Sequence, residues 1–411
     1  MGARSSVLQR KDLGEKISVP VRGPAKLLRL YNDVQLAVSM MRAENIFGAS
    51  VAELDELVRR GGEPSYRARQ IFQALYSARI SSWDEISSLP KSFRSWLVSS
   101  GYVIDRPKIA GKFHSQDGTL RYLVEVSDRE TVETVWMPEG DDGESGDGSE
   151  AGEEKRSSTD SFYRATICIS SQVGCAVNCH FCLTAALGVR RNLSAGEIVG
   201  QVLAVLEDRG VTPPRQRINL VFMGMGEPFL NYENFMKAVS LLVQGVGVPD
   251  GRMTVSTAGV APRIADFGRE QVRPKLAISL NAPNDQIRDQ IMPINRKWSL
   301  DVLLRAAREF PLRSREKLTF EYVLLGGCND SEDHARELTL LLRGIRAKVN
   351  LIALNPGPGI EYSTPDEAKV LSFQKTLINA GVPAFIRRPR GRDIYAACGQ
   401  LKRTIELTQL S

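Results

Sequence analysis

The sequence predicts an α/β protein: a partial (β/α)6 barrel preceded by a small amino-terminal helical domain and a short β meander. Three patterns carry this prediction. From Tyr163 onward, six apolar strand-like runs alternate with helical periods, which implies a parallel sheet or partial barrel because parallel strands need crossover connections. Residues 45–101 show helical periodicity alone, and residues 102–160 show strand-like alternation that ends in a polar, acidic tract. The length of 411 residues suits two or three such units, and a 42% hydrophobic composition is enough for a sizeable core.

Residues 1–44 are polar and basic, and read as a partly disordered leader with one marginal helix and no apolar run of signal-peptide length. In 45–101, Leu89, Phe93, Trp96 and Leu97 form an amphipathic stripe, and 66–78 reads as a second helix with Ile71, Phe72 and Leu75 inward. These helices make a small amino-terminal domain. Asp117-Gly118 is a hairpin turn signal; strands follow at 119–126, with Leu120, Tyr122 and Val124 on one side, and at 131–137. Residues 139–160 are rich in Gly, Ser and Glu and cannot bury enough apolar surface to order themselves, so they read as a disordered surface insertion without a catalytic role. In 161–411, strands are expected at 164–170, 217–223, 252–257, 275–280, 317–324 and 348–354. Ser194 with Glu197 three residues on is a capping box that starts a helix. Chemistry in such folds sits at the carboxyl ends of the strands, where every motif below begins.

Net charge is +6, but residues 139–156 hold eight acids against two bases, so the rest of the chain carries +12. A basic body suits a nucleic-acid partner, since phosphate contacts supply most non-specific affinity. No stretch is long and apolar enough to span a bilayer, so no membrane partner is expected and a cytoplasmic monomer is. Six cysteines in 411 residues make no disulfide scaffold, and three crowd into the segment CAVNCHFC. Cys175, Cys179 and Cys182 supply three soft thiolates, the ligands that a 4Fe-4S cluster takes. Three rather than four leave one iron open to chelate the amino and carboxylate groups of S-adenosylmethionine. Structural zinc is the competing reading, but it pairs Cys-x2-Cys with a distant second pair that this sequence lacks. His180, inside the motif, reads as a bystander.

The segments ICISSQVGCAVNCHFC, VFMGMGEP, LAISLNAPND, LNPGPG and AACGQL occur in that order. Together they resemble the RlmN/Cfr family of radical S-adenosylmethionine (radical SAM) RNA methyltransferases over about residues 45–403. The resemblance implies the radical SAM form of the partial barrel, with a carboxyl-terminal segment that carries a methyl-bearing cysteine. It assigns Gly226, Glu227, Ser256, Ser279 and Asn355 to cofactor contacts, together with Asn281, where many relatives have His. It implies a relay that consumes two S-adenosylmethionine molecules per turnover. Cys398 carries the methyl group, its methylene radical adds to an adenine carbon, and Cys168 releases the RNA by forming a transient disulfide with Cys398. Glu133 is the implied acceptor of the ring proton. The implied substrates are 23S rRNA at the peptidyl-transferase centre and tRNA at position 37, with 2-methyladenosine as product and a flavodoxin system as electron donor. Pro228 and the NAPND segment resemble the C2 enzymes more than the Cfr-type enzymes that methylate C8 of the same ribosomal adenosine. Two other readings are a radical enzyme that uses the cofactor only as an oxidant and an RNA-binding protein without catalysis. Arg387, Arg388, Arg390 and Arg392 place positive charge ahead of Cys398 and are candidates to hold phosphates, whereas Cys328 reads as structural.

Overall fold

The computed structural model describes residues 43–138 and 164–401. The expected leader, apart from residues 43 and 44, and the whole acidic insertion 139–160 lie outside the described residues. The chain begins with β1 (Glu44–Asn45), then three helices: α1 (Val51–Arg60), α2 (Tyr66–Tyr76) and α3 (Lys91–Ser99). Ser50 starts α1 through a capping box with Glu53, and Pro90 starts α3, so Leu89 packs from just outside that helix. Of the expected inward residues, Ile71, Phe72, Leu75, Leu89, Phe93 and Leu97 are buried, and Trp96 is half-buried. β2 (Tyr102–Val103) pairs with β1 and closes the domain. Its helices dock on the barrel through Ser77 Oγ, which donates to Gly245 O at 2.8 Å, and Arg79, which donates to Val211 O at 2.8 Å.

The meander is β3 (Lys108–His114), β4 (Leu120–Glu125) and β5 (Thr131–Pro138), and it joins the barrel sheet directly. β6 (Arg164–Cys168) pairs antiparallel with β5, setting Val135 opposite Cys168, and parallel with β9 (Arg217–Phe222). Between them lies a small hairpin, β7 (Gln172–Gly174) and β8 (Val189–Asn192), which was not anticipated from the sequence. Then come β10 (Met253–Thr257), β11 (Lys275–Ser279), β12 (Leu318–Leu324), β13 (Ala347–Ala353) and β14 (Ala384–Ile386). All are parallel, in the sheet order β14-β13-β12-β11-β10-β9-β6-β5-β4-β3. The six expected barrel strands are present within a residue or two of their expected ends, and β14 adds a seventh parallel strand.

The crossovers carry α4 (Ala195–Asp208), α5 (Tyr232–Leu241), α6 (Ala261–Gly268), α7 (Asp285–Ile291), α8 (Leu300–Glu309), α9 (Glu332–Leu341) and α10 (Glu367–Asn379). The Ser194–Glu197 capping box starts α4 as expected. Glu197 is also bonded by Arg191 and by Ser127 N, so the cap ties the hairpin and the meander to the barrel. No helix of the described residues is long and apolar enough to cross a membrane.

One expectation changes. β4 was read as one-sided, yet Leu120 to Val124 are buried on both faces, because Arg121 turns inward to pair with Glu133 of β5. Glu133 is fully buried, so it is not the exposed strand glutamate that is the ordinary reading of such a position.

Candidate active site

The barrel encloses a cavity of about 600 Å³. Its wall includes Cys168, Cys175, Cys179, Cys182, Gly226, Glu227, Ser256, Ser279, Asn281, Asn355 and Cys398, every candidate site residue except Glu133. The residues come from six separate segments. They converge because parallel strands bring their carboxyl ends to one side of the sheet.

The three-cysteine loop leaves β7 at Gly174, whose φ is +82° and where a Cβ would lie 1.8 Å from Gly188 O, so only glycine fits. Backbone bonds fix the loop on three sides. Cys175 N donates to Gly188 O at 2.9 Å, His180 N to Ile291 O at 3.0 Å and Leu183 N to Gly399 O at 2.7 Å. The thiols share an apolar wall with Val177, Phe181, Met292 and Leu354. Burial pushes Cys175 up to about 12 and Cys179 well above the ordinary thiol range. His180 is exposed, in keeping with a bystander. Among the described residues, no group of three or more His, Cys, Asp or Glu side chains converges as it would on a single metal ion. A cluster takes each thiolate on a different iron, so its ligands need not meet at one point. The donor set, three soft thiols on a dry wall, fits a 4Fe-4S cluster.

The turn after β9 forms the adjacent wall. Gly226 has φ +96°, and a Cβ there would stand 2.7 Å from Gln172 N. Gln172 Oε1 accepts from Glu227 N at 3.0 Å, and Met225 O accepts from Ser171 N at 2.8 Å, which presses the turn onto the chain leaving β6. The Glu227 carboxylate accepts from Ala258 N at 2.6 Å and Phe229 N at 3.0 Å. Burial nevertheless pushes its pKa up to about 7. A carboxylate has about four acceptor sites, so Glu227 retains capacity for a ligand ammonium. Ser256 and Ser279 face each other with hydroxyls 3.1 Å apart. Asn355 Nδ2 donates to Cys398 O at 3.4 Å. Asn281 lines the cavity, but its side chain is bound to the protein: Oδ1 accepts from Val323 N at 2.8 Å and Nδ2 contacts Met292 Sδ at 3.1 Å.

Cys168 at the end of β6 and Cys398 on the returning carboxyl-terminal segment both face the cavity as thiols, not joined in a disulfide. Burial, and then the nearby Cys398, push Cys168 up to about 12, while Cys398 itself is exposed. Arg387, Arg388 and Arg390 join the lining; Arg392 is exposed and does not.

Sequence reasoning missed Arg288 of α7. It is fully buried and donates to Leu280 O at 3.0 Å, Ala258 O at 2.7 Å, Ser279 O at 3.1 Å and Asn295 Oδ1 at 3.0 Å. It therefore latches the carboxyl ends of β10 and β11. Asp285 and Asp289 make no direct hydrogen bond to it but both accept from Asn295 Nδ2 and act on it through their charge. Burial lowers its pKa to about 10, and neighbouring Cys179 is the first charge that opposes this. Nothing in the sequence marks this Arg as interior.

The fold and the three-thiol cavity define a radical SAM enzyme, and residues 169–339 match the family model of the Radical SAM superfamily. The chain is 63% identical over 354 residues to a probable dual-specificity RNA methyltransferase RlmN of Koribacter versatilis, covering 86% of this chain and all of that protein. It is 43% identical to the dual-specificity RNA methyltransferase RlmN of Syntrophobacter fumaroxidans, covering 86% and 96% of the two. Among solved structures, a radical SAM methyltransferase from Sphaerobacter thermophilus superposes with a TM-score of 0.77 at 39% identity, over 88% of this chain and 99% of that one. The chain belongs to the RlmN family of radical SAM RNA methyltransferases.

Proposed function

We propose that this protein makes 2-methyladenosine in 23S rRNA, at the peptidyl-transferase centre, and at position 37 of tRNAs. The observation that carries the reading is the convergence of Cys168 and Cys398, 230 residues apart in sequence, on the cavity that holds the three-cysteine loop. When bound, the cluster and S-adenosylmethionine supply a 5′-deoxyadenosyl radical.

The residues of the chain do the rest. Cys398 as thiolate takes a methyl group from one S-adenosylmethionine; its C–S bond forms as the sulfonium bond breaks and S-adenosylhomocysteine leaves. The methylated sulfur's carbon gives up a hydrogen atom to the radical derived from a second molecule and bonds to C2 of the adenine. Glu133 accepts the C2 proton, and the electron that the adduct radical gives up would return to the oxidised cluster. Cys168 as thiolate then attacks Sγ of Cys398. The S–S bond forms, the carbon–sulfur bond breaks, and its electron pair remains on the carbon, which takes a proton and becomes methyl. Two electrons reduce the disulfide for the next turnover. Ser256, Ser279, Gly226, Glu227 and Asn355 seat the cofactor, with Asn281 stiffening that wall. A flavodoxin-type donor supplies electrons, and the protein works as a cytoplasmic monomer. The RlmN name of the relatives supports C2 over the Cfr-type C8 position.

The test is anaerobic cluster reconstitution, followed by reductant, S-adenosylmethionine and protein-free 23S RNA, with the methylated nucleoside mapped after digestion. Methyl on C2, absent in Cys398→Ala, is the expected result. Methyl on C8, or 5′-deoxyadenosine released with no methylated RNA, overturns it.

A further inference from the structure

The cavity does not stop at the cofactor wall. Because β6 and β9 to β13 are parallel, their amino ends form a second mouth on the far side of the sheet, and the cavity reaches it. Arg164 opens β6 and Lys275 opens β11; Arg252 and Lys317 stand immediately before β10 and β12, and Arg315 two residues earlier. All five line the cavity. Lys275 is four residues from Ser279 and Arg252 four from Ser256, so this rim is about 13 Å from the cofactor wall at ~3.3 Å per residue.

Among the described residues, the rim carries these five bases and one acid. Among the described residues, none of these five side chains has an ion pair or a hydrogen-bond partner. The one acid among them, Glu316, is already bound: it pairs with buried Arg273 at 2.9 and 3.0 Å and accepts from Arg313 N at 2.8 Å. Surfaces ordinarily intersperse the two signs, whereas a cleft lined by one sign concentrates the field on a ligand of the other. The ligand is extended. From β6 to β12 the rim crosses four inter-strand gaps, about 19 Å at ~4.8 Å each. That span suits several successive phosphates of a polynucleotide and is too wide for one phosphate group.

Resting on the RNA-methyltransferase reading, we propose that this amino-terminal mouth is where substrate RNA enters. Arg164, Arg252, Lys275, Arg315 and Lys317 hold backbone phosphates flanking the target nucleotide. Its base, turned out of the stack, passes up the barrel toward Ser256, Ser279 and Cys398. RNA and cofactor then occupy opposite ends of one cavity.

The experiment measures the affinity of the cluster-loaded, full-length protein for an anticodon stem–loop RNA as a function of salt. The variants are Lys275→Glu with Lys317→Glu, and the neutral pair Lys275→Gln with Lys317→Gln in case reversal disturbs folding. Arg343→Glu, at an exposed turn after α9, serves as the control. We expect each paired variant to lower the slope of log affinity against log salt by about one to two, the loss of two phosphate contacts. Arg343→Glu should leave the slope unchanged, and S-adenosylmethionine affinity and the thermal midpoint should be unchanged in all three. Paired variants that bind RNA with the wild-type slope overturn the proposal and leave the methyltransferase reading intact. Wild-type protein that binds no RNA overturns both.

Discussion

Arg121 of β4 and Glu133 of β5 form an ion pair in which both side chains are fully buried. The two are diagonal neighbours across the antiparallel ladder, and Arg121 also lies 4.1 Å from the centre of the Phe113 ring. The strand carrying Glu133 is tied to the cofactor turn: Ser170 Oγ donates to Glu133 O at 2.6 Å and accepts from Met225 N at 2.9 Å. The proposed proton acceptor is thus also part of the structural frame.

That dual role can be separated. Glu133→Gln removes the carboxylate charge from this buried pair and is expected to cost about 3–5 kcal/mol in urea denaturation. Arg121→Met combined with Glu133→Leu should recover most of this stability, because replacing both partners of a buried pair is often neutral. Methylation should nonetheless stay about 10²- to 10⁴-fold below wild type in the double variant. Restored activity would leave Glu133 with a structural role only.

The two relay thiols should differ in reactivity. Cys398 is exposed, whereas Cys168 is half-buried and desolvation raises its pKa to about 12. The thiolate is the reactive form, so alkylation of Cys168 by iodoacetamide should rise about tenfold per pH unit from pH 7 to 10 and lag far behind Cys398 throughout. Peptide mass spectrometry over time reads both. Comparable rates at pH 7 would contradict the raised pKa of Cys168.

Glu227 predicts a pH dependence of the cofactor-free protein. Burial raises its folded pKa from 4.5 to about 7, so the folded state binds the proton more tightly than the unfolded state. Its contribution to stability is therefore fully present below pH 4.5 and lost as pH rises to about 7, a loss of about 3 kcal/mol. Glu227→Gln should flatten that segment of the profile. Denaturation midpoints between pH 4.5 and 7.5, wild type against variant, decide the matter.

Arg288→Met removes the donor from three backbone carbonyls and one amide oxygen. The expected cost is about 2–4 kcal/mol. Because the carbonyls of Ala258 and Ser279 are among those freed, S-adenosylmethionine affinity should fall as well. Thermal unfolding and equilibrium binding measure the two effects, and unchanged binding would confine Arg288 to stability.

The sequence made the site more legible than the frame around it. Cys175, Cys179 and Cys182 lie within eight residues, so local spacing alone pointed to a cluster site. Cys168 and Cys398 are far apart, and only family resemblance linked them. The barrel strands were readable because each carries a continuous apolar run. β7, β8 and β14 are three or four residues long, too short for any period to register. The burial of Glu133 was illegible because its partner lies across a hairpin, where alternation counts Arg121 as outward. Arg288 sits on a short helix between two aspartates, the pattern of a solvated face; only the packed strand ends show why it is interior.

The segment bearing Cys398 is fastened to the cysteine loop: Leu183 N donates to Gly399 O, and Thr184 Oγ1 to Leu401 O at 2.7 Å. Two walls of one site are therefore made at very different times. At ribosomal elongation rates of about 5–20 residues per second, the cluster thiols emerge roughly ten to forty seconds before the methyl carrier. During that interval the growing chain has the three clustered thiols but not Cys398. On the proposed relay, competence arrives only when the last part of the barrel folds back, so an unfinished chain could not yet carry the methyl group.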